Sequence, residues 1–186
     1  MKLARKGKAN SPFDQAPPPR PSDFLLRAGL PVLAVAALVL AVDQATKTWA
    51  LGDRLTYPGI HLWGDVRLAR TFNDGVAFGV GGGAAPVLLA VAVLGAALVI
   101  FKKQMPVNTW VIAGMGLVLG GGFGNLCDRL FRSHGGAVID FIDVGNLPVI
   151  NREWPVFNVA DACIVVGALL IAFFGTAGPK AESDGS

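Results

Sequence analysis

Histidine and cysteine are scarce in this chain, with two of each among 186 residues. His61 and His134 form no H-E-x-x-H and no His-rich run, which argues against a zinc protease. Cys127 and Cys163 lack C-x-x-C spacing and suggest no disulfide framework. Cys163 lies in an apolar run and reads as a small packing hydrophobe. Serine is nearly confined to the terminal tails: Ser133 is the exception, and no G-x-S-x-G surrounds it. A serine nucleophile is therefore poorly supported. The chain is rich in glycine but lacks G-x-x-x-x-G-K-[ST], so a phosphate-cradling loop of that type is excluded. The G-x-G-D pattern of presenilin-type membrane aspartyl proteases is also missing. Charge is sparse, at 16% of residues and a net +3. The excess sits largely in the first residues, and no basic stripe interleaves with aromatics. That speaks for a membrane surface and against a nucleic-acid partner.

What remains is apolar. Hydrophobic residues make up 53% of the chain, and the mean hydropathy is +0.53. Both shift the reading to an integral membrane protein. Four apolar runs cover residues 24–42, 84–101, 105–124 and 156–175. Each approaches the roughly 20 residues that a helix needs to cross about 30 Å of hydrocarbon. Frequent Gly and Ala would let such helices pack closely in lipid. The expected fold is an all-α integral membrane protein, a four-transmembrane-helix bundle with a small extracytoplasmic β element. Residues 55–73 alternate well enough for short strands and are the place for that element.

Three stretches divide the chain: a disordered, basic and Pro-rich tail over 1–23, a four-span domain over 24–176 and a short tail over 177–186. A signal peptide is the competing reading of the N-terminus, but its charged region is too long and its apolar run starts too late. Lys102 and Lys103 in the turn between spans two and three, Lys180 and the basic N-terminal tail place those regions in the cytoplasm. Both termini are then cytoplasmic, and segments 43–83 and 125–155 face outward.

Several polar residues need a reason in such surroundings. Asp43 and Lys47, spaced i, i+4, share one face at the end of span one. The bland reading is an interfacial ion pair with Lys47 snorkelling. Asn73 and Gly75 mark a turn, or a turn that presents backbone groups to an added peptide strand. A Gly-rich stretch, 120–124, runs into Asn125, Asp128 and Arg129, either as packing and exit or as a functional cluster. Asn158 and Asp161, at i, i+3, lie inside the start of span four. An acid near mid-helix costs about 2.5–3.5 kcal/mol on insertion scales, so such a group usually faces a cavity or a partner. Asp140 and Asp143 sit in the outer segment and would point to opposite faces of a strand.

Asp128, Asp140 and Asp161 thus converge on one side of the membrane. Two carboxylates sharing a dry site cannot comfortably both ionise, so one holds a proton and the other a charge. Such a pair can activate water and protonate a leaving amine without a metal. A transporter using Asp43, Asp128 and Asp161 as a relay is a different reading, but no broken spans or repeated halves point to one. A non-catalytic scaffold leaves the cost of Asp161 unexplained.

Five motifs in order make the chain resemble bacterial lipoprotein signal peptidases. They are D-x-x-x-K at Asp43 to Lys47, N-x-G-x-A-F at Asn73 to Phe78, G-N-x-x-D-R at Gly124 to Arg129, V-x-D-F at Val138 to Phe141 and F-N-x-A-D at Phe157 to Asp161. The resemblance covers most of residues 24–176. It implies a monomeric aspartyl endopeptidase of the bacterial inner membrane, with no cofactor and no metal. Its partners would be the bilayer and diacylglyceryl-modified prolipoproteins, cut just before the lipidated cysteine on the outer side. It implies Asp140 and Asp161 as the catalytic pair. Asn125 and Arg129 fall at positions that hold substrate backbone, and Asp128 belongs to their network. Asp43, Lys47, Asn73, Gly75 and Asn158 match supporting positions. Asp143 is left as a surface or loop-anchoring acid.

Overall fold

The computed structural model describes residues 28–75, 108–147 and 152–175. Helix α1 spans Leu30–Ala50, strands β1 and β2 span Ile60–Trp63 and Val66–Asn73, and helix α2 spans Thr109–Phe131. Strand β3 is Val138–Asp143, β4 and β5 are the short pair Asn146–Leu147 and Arg152–Glu153, and helix α3 is Val159–Phe174. The expected span at 84–101, the Lys102–Lys103 turn and both tails lie outside the described residues.

Helices α1 and α2 have 21 and 23 residues and are long and apolar enough to cross a bilayer. α3 has 16 residues, about 24 Å at 1.5 Å per residue. Leu33, Leu38, Val165, Leu169 and Phe173 stay at least half exposed along the helices. Apolar side chains facing outward suit lipid rather than water.

The helices do not stop where the apolar runs stop. α1 continues through Asp43 and Lys47, and α2 through Asn125, Asp128 and Arg129. Residues 125–131, expected in the outer segment, are therefore helical. Backbone hydrogen bonding continues because these side chains find polar partners on neighbouring elements. Asp161, for its part, is not near mid-helix. It is the third residue of α3, and Asn158 is the N-cap.

Glycine sets the helix spacing. A Cβ on Gly114 would lie 2.8 Å from the Gly167 carbonyl oxygen, and one on Gly121 would lie 2.5 Å from that of Ala160. On the other side of α2, a Cβ on Gly120 would lie 2.6 Å from the Ala36 carbonyl oxygen. α2 thus packs α3 with one bare face and α1 with another, as close backbone approach in lipid demands.

The expected strands in 55–73 form and gain a partner. The sheet order is β1-β2-β3, antiparallel throughout. Leu68 pairs with Ile142 and Thr71 with Asp140, so Ala69 and Arg70 together oppose Phe141. This bulge breaks the ladder at Phe141, one residue after Asp140, where it re-aims local side chains. The sheet rests on the end of α1 through a core of Ala50, Leu55, Ile139 and Phe141.

Candidate active site

Asp140 stands on β3, with Asn73 facing it from the end of β2. Its Oδ2 accepts from Asn73 Nδ2 at 2.9 Å and its Oδ1 from Asn158 Nδ2 at 2.7 Å. The Asn73 side-chain oxygen accepts from Gly75 N at 2.9 Å, closing a turn that Gly75, at φ 97°, can adopt. Asp140 is 1% exposed. Burial first, and then the nearby charge of Asp161, push its carboxyl from 3.8 up to about 7. It borders an open cleft of about 310 Å³ lined by Thr71, Phe72, Asn73, Asp74, Pro155 and Val156.

Asp161 is held by a capping box. Asn158 Oδ1 accepts from the Asp161 backbone nitrogen at 2.9 Å, and Asp161 Oδ2 accepts from the Asn158 backbone nitrogen at 3.2 Å. Asn125 Nδ2 donates to Asp161 Oδ1 at 2.7 Å. Asn158 therefore touches both acids, one through its amide and one through its backbone.

Beneath this pair lies a buried charge cluster. Lys47 Nζ is 2.9 Å from Asp43 Oδ2, 2.9 Å from Asp128 Oδ2 and 2.8 Å from Asn125 Oδ1. The Lys47, Asp43 and Asp128 side chains are fully buried. The snorkelling expected of Lys47 does not occur: two carboxylates and an amide satisfy its three donors inside the protein. Asp43 Oδ1 accepts from the Ala160 backbone nitrogen at 3.0 Å, tying α1 to the start of α3. Asp128 Oδ2 also accepts from the backbone nitrogen of Ile139, beside Asp140.

The structure brings together Asp43, Lys47, Asn73, Gly75, Asn125, Asp128, Asp140, Asn158 and Asp161. Arg129 stands apart, donating to the Gly136 carbonyl at 2.9 Å. Asp143 is not a surface acid. It is buried, pairs with Arg67 at 2.7 Å and accepts from Gly145 N at 2.8 Å, the loop-anchoring alternative. Sequence reasoning missed Gln44 and Arg132. Gln44 Nε2 reaches Asp43, Asp128 and the Gly124 carbonyl. Arg132 reaches Asp128 and Gln44. The i, i+4 spacing of Asp128 and Arg132 was the available signal. Among the described residues, no group of three or more His, Cys, Asp or Glu side chains is placed to hold a metal ion.

Apolar helices that carry the buried Asp140 and the partly buried Asp161 near one another at one end are those of a membrane protein with a polar site at the helix ends. The signal peptidase (SPase) II family model matches residues 35–176. The lipoprotein signal peptidase of Mycolicibacterium smegmatis is 42% identical over 146 residues, covering 75% of this chain and 58% of that protein. That of Rhodococcus jostii is 40% identical over 177 residues, covering 91% of this chain and 82% of its own. Two solved structures described as a bacterial membrane enzyme share the fold. Their TM-scores are 0.63 and 0.65 at 23% and 24% identity, over 78% and 83% of this chain and 92% and 94% of theirs. The chain belongs to the signal peptidase II family, proteases that remove signal peptides from prolipoproteins.

Proposed function

We propose that this family member cuts with Asp140 and Asp161 as its catalytic pair. The observation that carries the reading is the Asp140 carboxyl, buried beside Asp161 and raised to about 7. At neutral pH such a pair holds one proton between two carboxyls. The ionised member takes a proton from water as that water attacks the scissile carbonyl carbon. The protonated member gives its proton to the departing nitrogen as the C–N bond breaks. The pair as a unit thus serves as base and acid, and the peptide is left as a carboxyl and an amine.

The substrate is a diacylglyceryl-modified prolipoprotein, cut just before the lipidated cysteine. Its acyl chains stay among lipid and apolar helix faces, while the scissile peptide enters the cleft bordered by Thr71, Asn73 and Asp140. The enzyme works as a monomer with four spans in the bacterial inner membrane. Both termini are cytoplasmic and the cleft faces outward, with residues 24–176 forming the peptidase domain. The exposed apolar faces of α1 and α3, the basic N-terminal tail and Lys102 and Lys103 support that placement. Arg129 holds substrate backbone only after releasing the Gly136 carbonyl, or else supports the loop that carries it.

The experiment is cleavage of a lipidated prolipoprotein by the wild-type chain and three Asp→Asn variants, followed by gel mobility of the precursor. Asp140→Asn and Asp161→Asn leave the precursor uncut while the protein still inserts. Asp143→Asn keeps substantial activity, because the contacts of Asp143 are Arg67 and the Gly145 backbone rather than the acid pair. A chelator leaves the rate unchanged. Cleavage at the wild-type rate by either Asp140→Asn or Asp161→Asn sinks the assignment.

A further inference from the structure

Arg132 lies at the C-cap of α2, outside the five motifs. Its side chain is 17% exposed, and it reaches Asp128 on its own helix and residues of α1. Nε donates to Asp128 Oδ1 at 3.0 Å. The Nη2 group donates to Gln44 Oε1 at 3.1 Å, to the Gln44 carbonyl at 3.3 Å and to Thr48 Oγ1 at 3.1 Å. One guanidinium therefore joins the end of α2 to the end of α1.

The charge count gives this contact a purpose. Asp43 and Asp128 are two buried acids, and Lys47 supplies one positive charge between them. Arg132 supplies the second, so the four side chains sum to zero. Other charged or titratable groups nearby are Cys127 and Arg129 on α2, His134 in the turn that follows, Cys163 on α3 and the acids Asp140 and Asp161. Arg129 is turned to the Gly136 carbonyl, and His134 packs its ring on Phe72. Neither substitutes for Arg132 at Asp128.

Two connections carry the effect to the reacting groups. Asp128, fixed on one oxygen by Arg132, uses the other to accept from the Ile139 backbone nitrogen at 3.2 Å. Ile139 directly precedes Asp140. The same oxygen binds Lys47, which donates to Asn125, which donates to Asp161. We infer that Arg132 is a positioning residue for the peptidase: it completes a neutral quartet with the buried Asp43, Lys47 and Asp128, and through Asp128 it sets the place and the electrostatic field of Asp140 and Asp161. This rests on the reading of those two acids as the reacting pair.

Without Arg132 the quartet carries an uncompensated negative charge. Protons on the neighbouring acid pair are then held more tightly. A unit charge about 10 Å away in an effective dielectric of about 20 is worth about one pH unit, and partial exposure reduces it. The test is the pH–rate profile of the purified full chain in lipid nanodiscs, on a lipidated prolipoprotein, for wild type, Arg132→Lys and Arg132→Gln. Arg132→Gln moves the optimum upward by about half to one pH unit, whereas Arg132→Lys keeps the wild-type optimum. Arg132→Met removes the same charge with an apolar side chain and moves the optimum the same way. It decides the matter if Arg132→Gln does not accumulate. An unmoved optimum in the variant that decides, or an equal shift in Arg132→Lys, overturns the inference. Those results leave the acid pair itself untouched, since that reading fails only if Asp140→Asn or Asp161→Asn still cuts.

Discussion

Asn158 donates to Asp140 Oδ1 at 2.7 Å from the same residue whose backbone nitrogen donates to Asp161 Oδ2 at 3.2 Å. One residue thus sets the spacing of the two acids, and its side chain also reaches Asn125 Oδ1 at 3.1 Å. Asn158→Ala removes the bond to Asp140 and the N-cap of α3. The cap alone is worth about 1 kcal/mol, so the protein still folds. The pair loses its common support, and small misplacements of reacting groups cost about 100-fold in rate. The expected outcome is a kcat lowered by about 10- to 100-fold with a melting temperature only a few degrees lower. Steady-state cleavage and thermal melts of the same preparation check it.

The raised Asp140 carboxyl also makes stability depend on pH. An acid whose folded value is about 7 against an ordinary 3.8 takes up a proton on folding between those limits. Rising pH therefore works against the folded state from about pH 4 to pH 7, and the dependence ends above that. Across that window the loss comes to at most about 4 kcal/mol. Asp140→Asn removes this titration, so its melting temperature changes less between about pH 4.5 and pH 7.5, in a window set by the two values above. Melts of both proteins in detergent across that range check the slope. An identical slope in the two proteins contradicts the assignment.

Much of this site was legible because its residues break local rules. Asp161 is conspicuous as a charge in an apolar run, and the physical cost of burying it announced that it had partners. The partners themselves were not legible, since Lys47 bridges residues 78 positions apart when it reaches Asn125. A helix-end lysine reads the same whether it snorkels or turns inward, and the choice depends on packing against α2. Gln44 and Arg132 escaped notice because an amide and an arginine near a helix end are ordinary there. The strands in 55–73 showed in their alternation, whereas β3 and its bulge depended on pairing with β2. The third apolar run also misled on length: hydrophobicity ends before Asn125, but the helix continues to Phe131 because tertiary partners satisfy its polar side chains.

Lys47 is the support with the sharpest stability consequence. Lys47→Met removes the ammonium from between Asp43 and Asp128 and leaves both buried. Breaking a buried pair on one side costs about 3–5 kcal/mol, a large part of a typical folding free energy. The variant accumulates poorly or melts well below wild type. Asp43→Asn combined with Lys47→Met removes one buried acid along with the cation. It recovers part of the loss in melting temperature without recovering activity, because Asn125 Oδ1 has lost one of its two donors and keeps only Asn158. Fluorescence-detected melts of the single and double variants measure the difference.

Gly121 ties helix packing to the chemistry. Its missing side chain leaves room for the Ala160 carbonyl, and Ala160 precedes Asp161. A Cβ there would stand 2.5 Å from that oxygen and 2.9 Å from Ile164 Cγ1. The backbone oxygen cannot rotate away as a side chain does, so the start of α3 must shift. Overpacking of this kind costs about 1–3 kcal/mol, and the shift also carries Asp161 away from Asn125. Gly121→Val is expected to fold with a lower melting temperature and to lose at least about 10-fold in kcat, a factor that corresponds to about 1.4 kcal/mol in the barrier. Phe123→Ala on the same helix alters a side chain that is 47% exposed and changes kcat by less than about two-fold, within the small effects typical of surface positions. Equal kcat losses in the two variants contradict a role for Gly121 in placing Asp161.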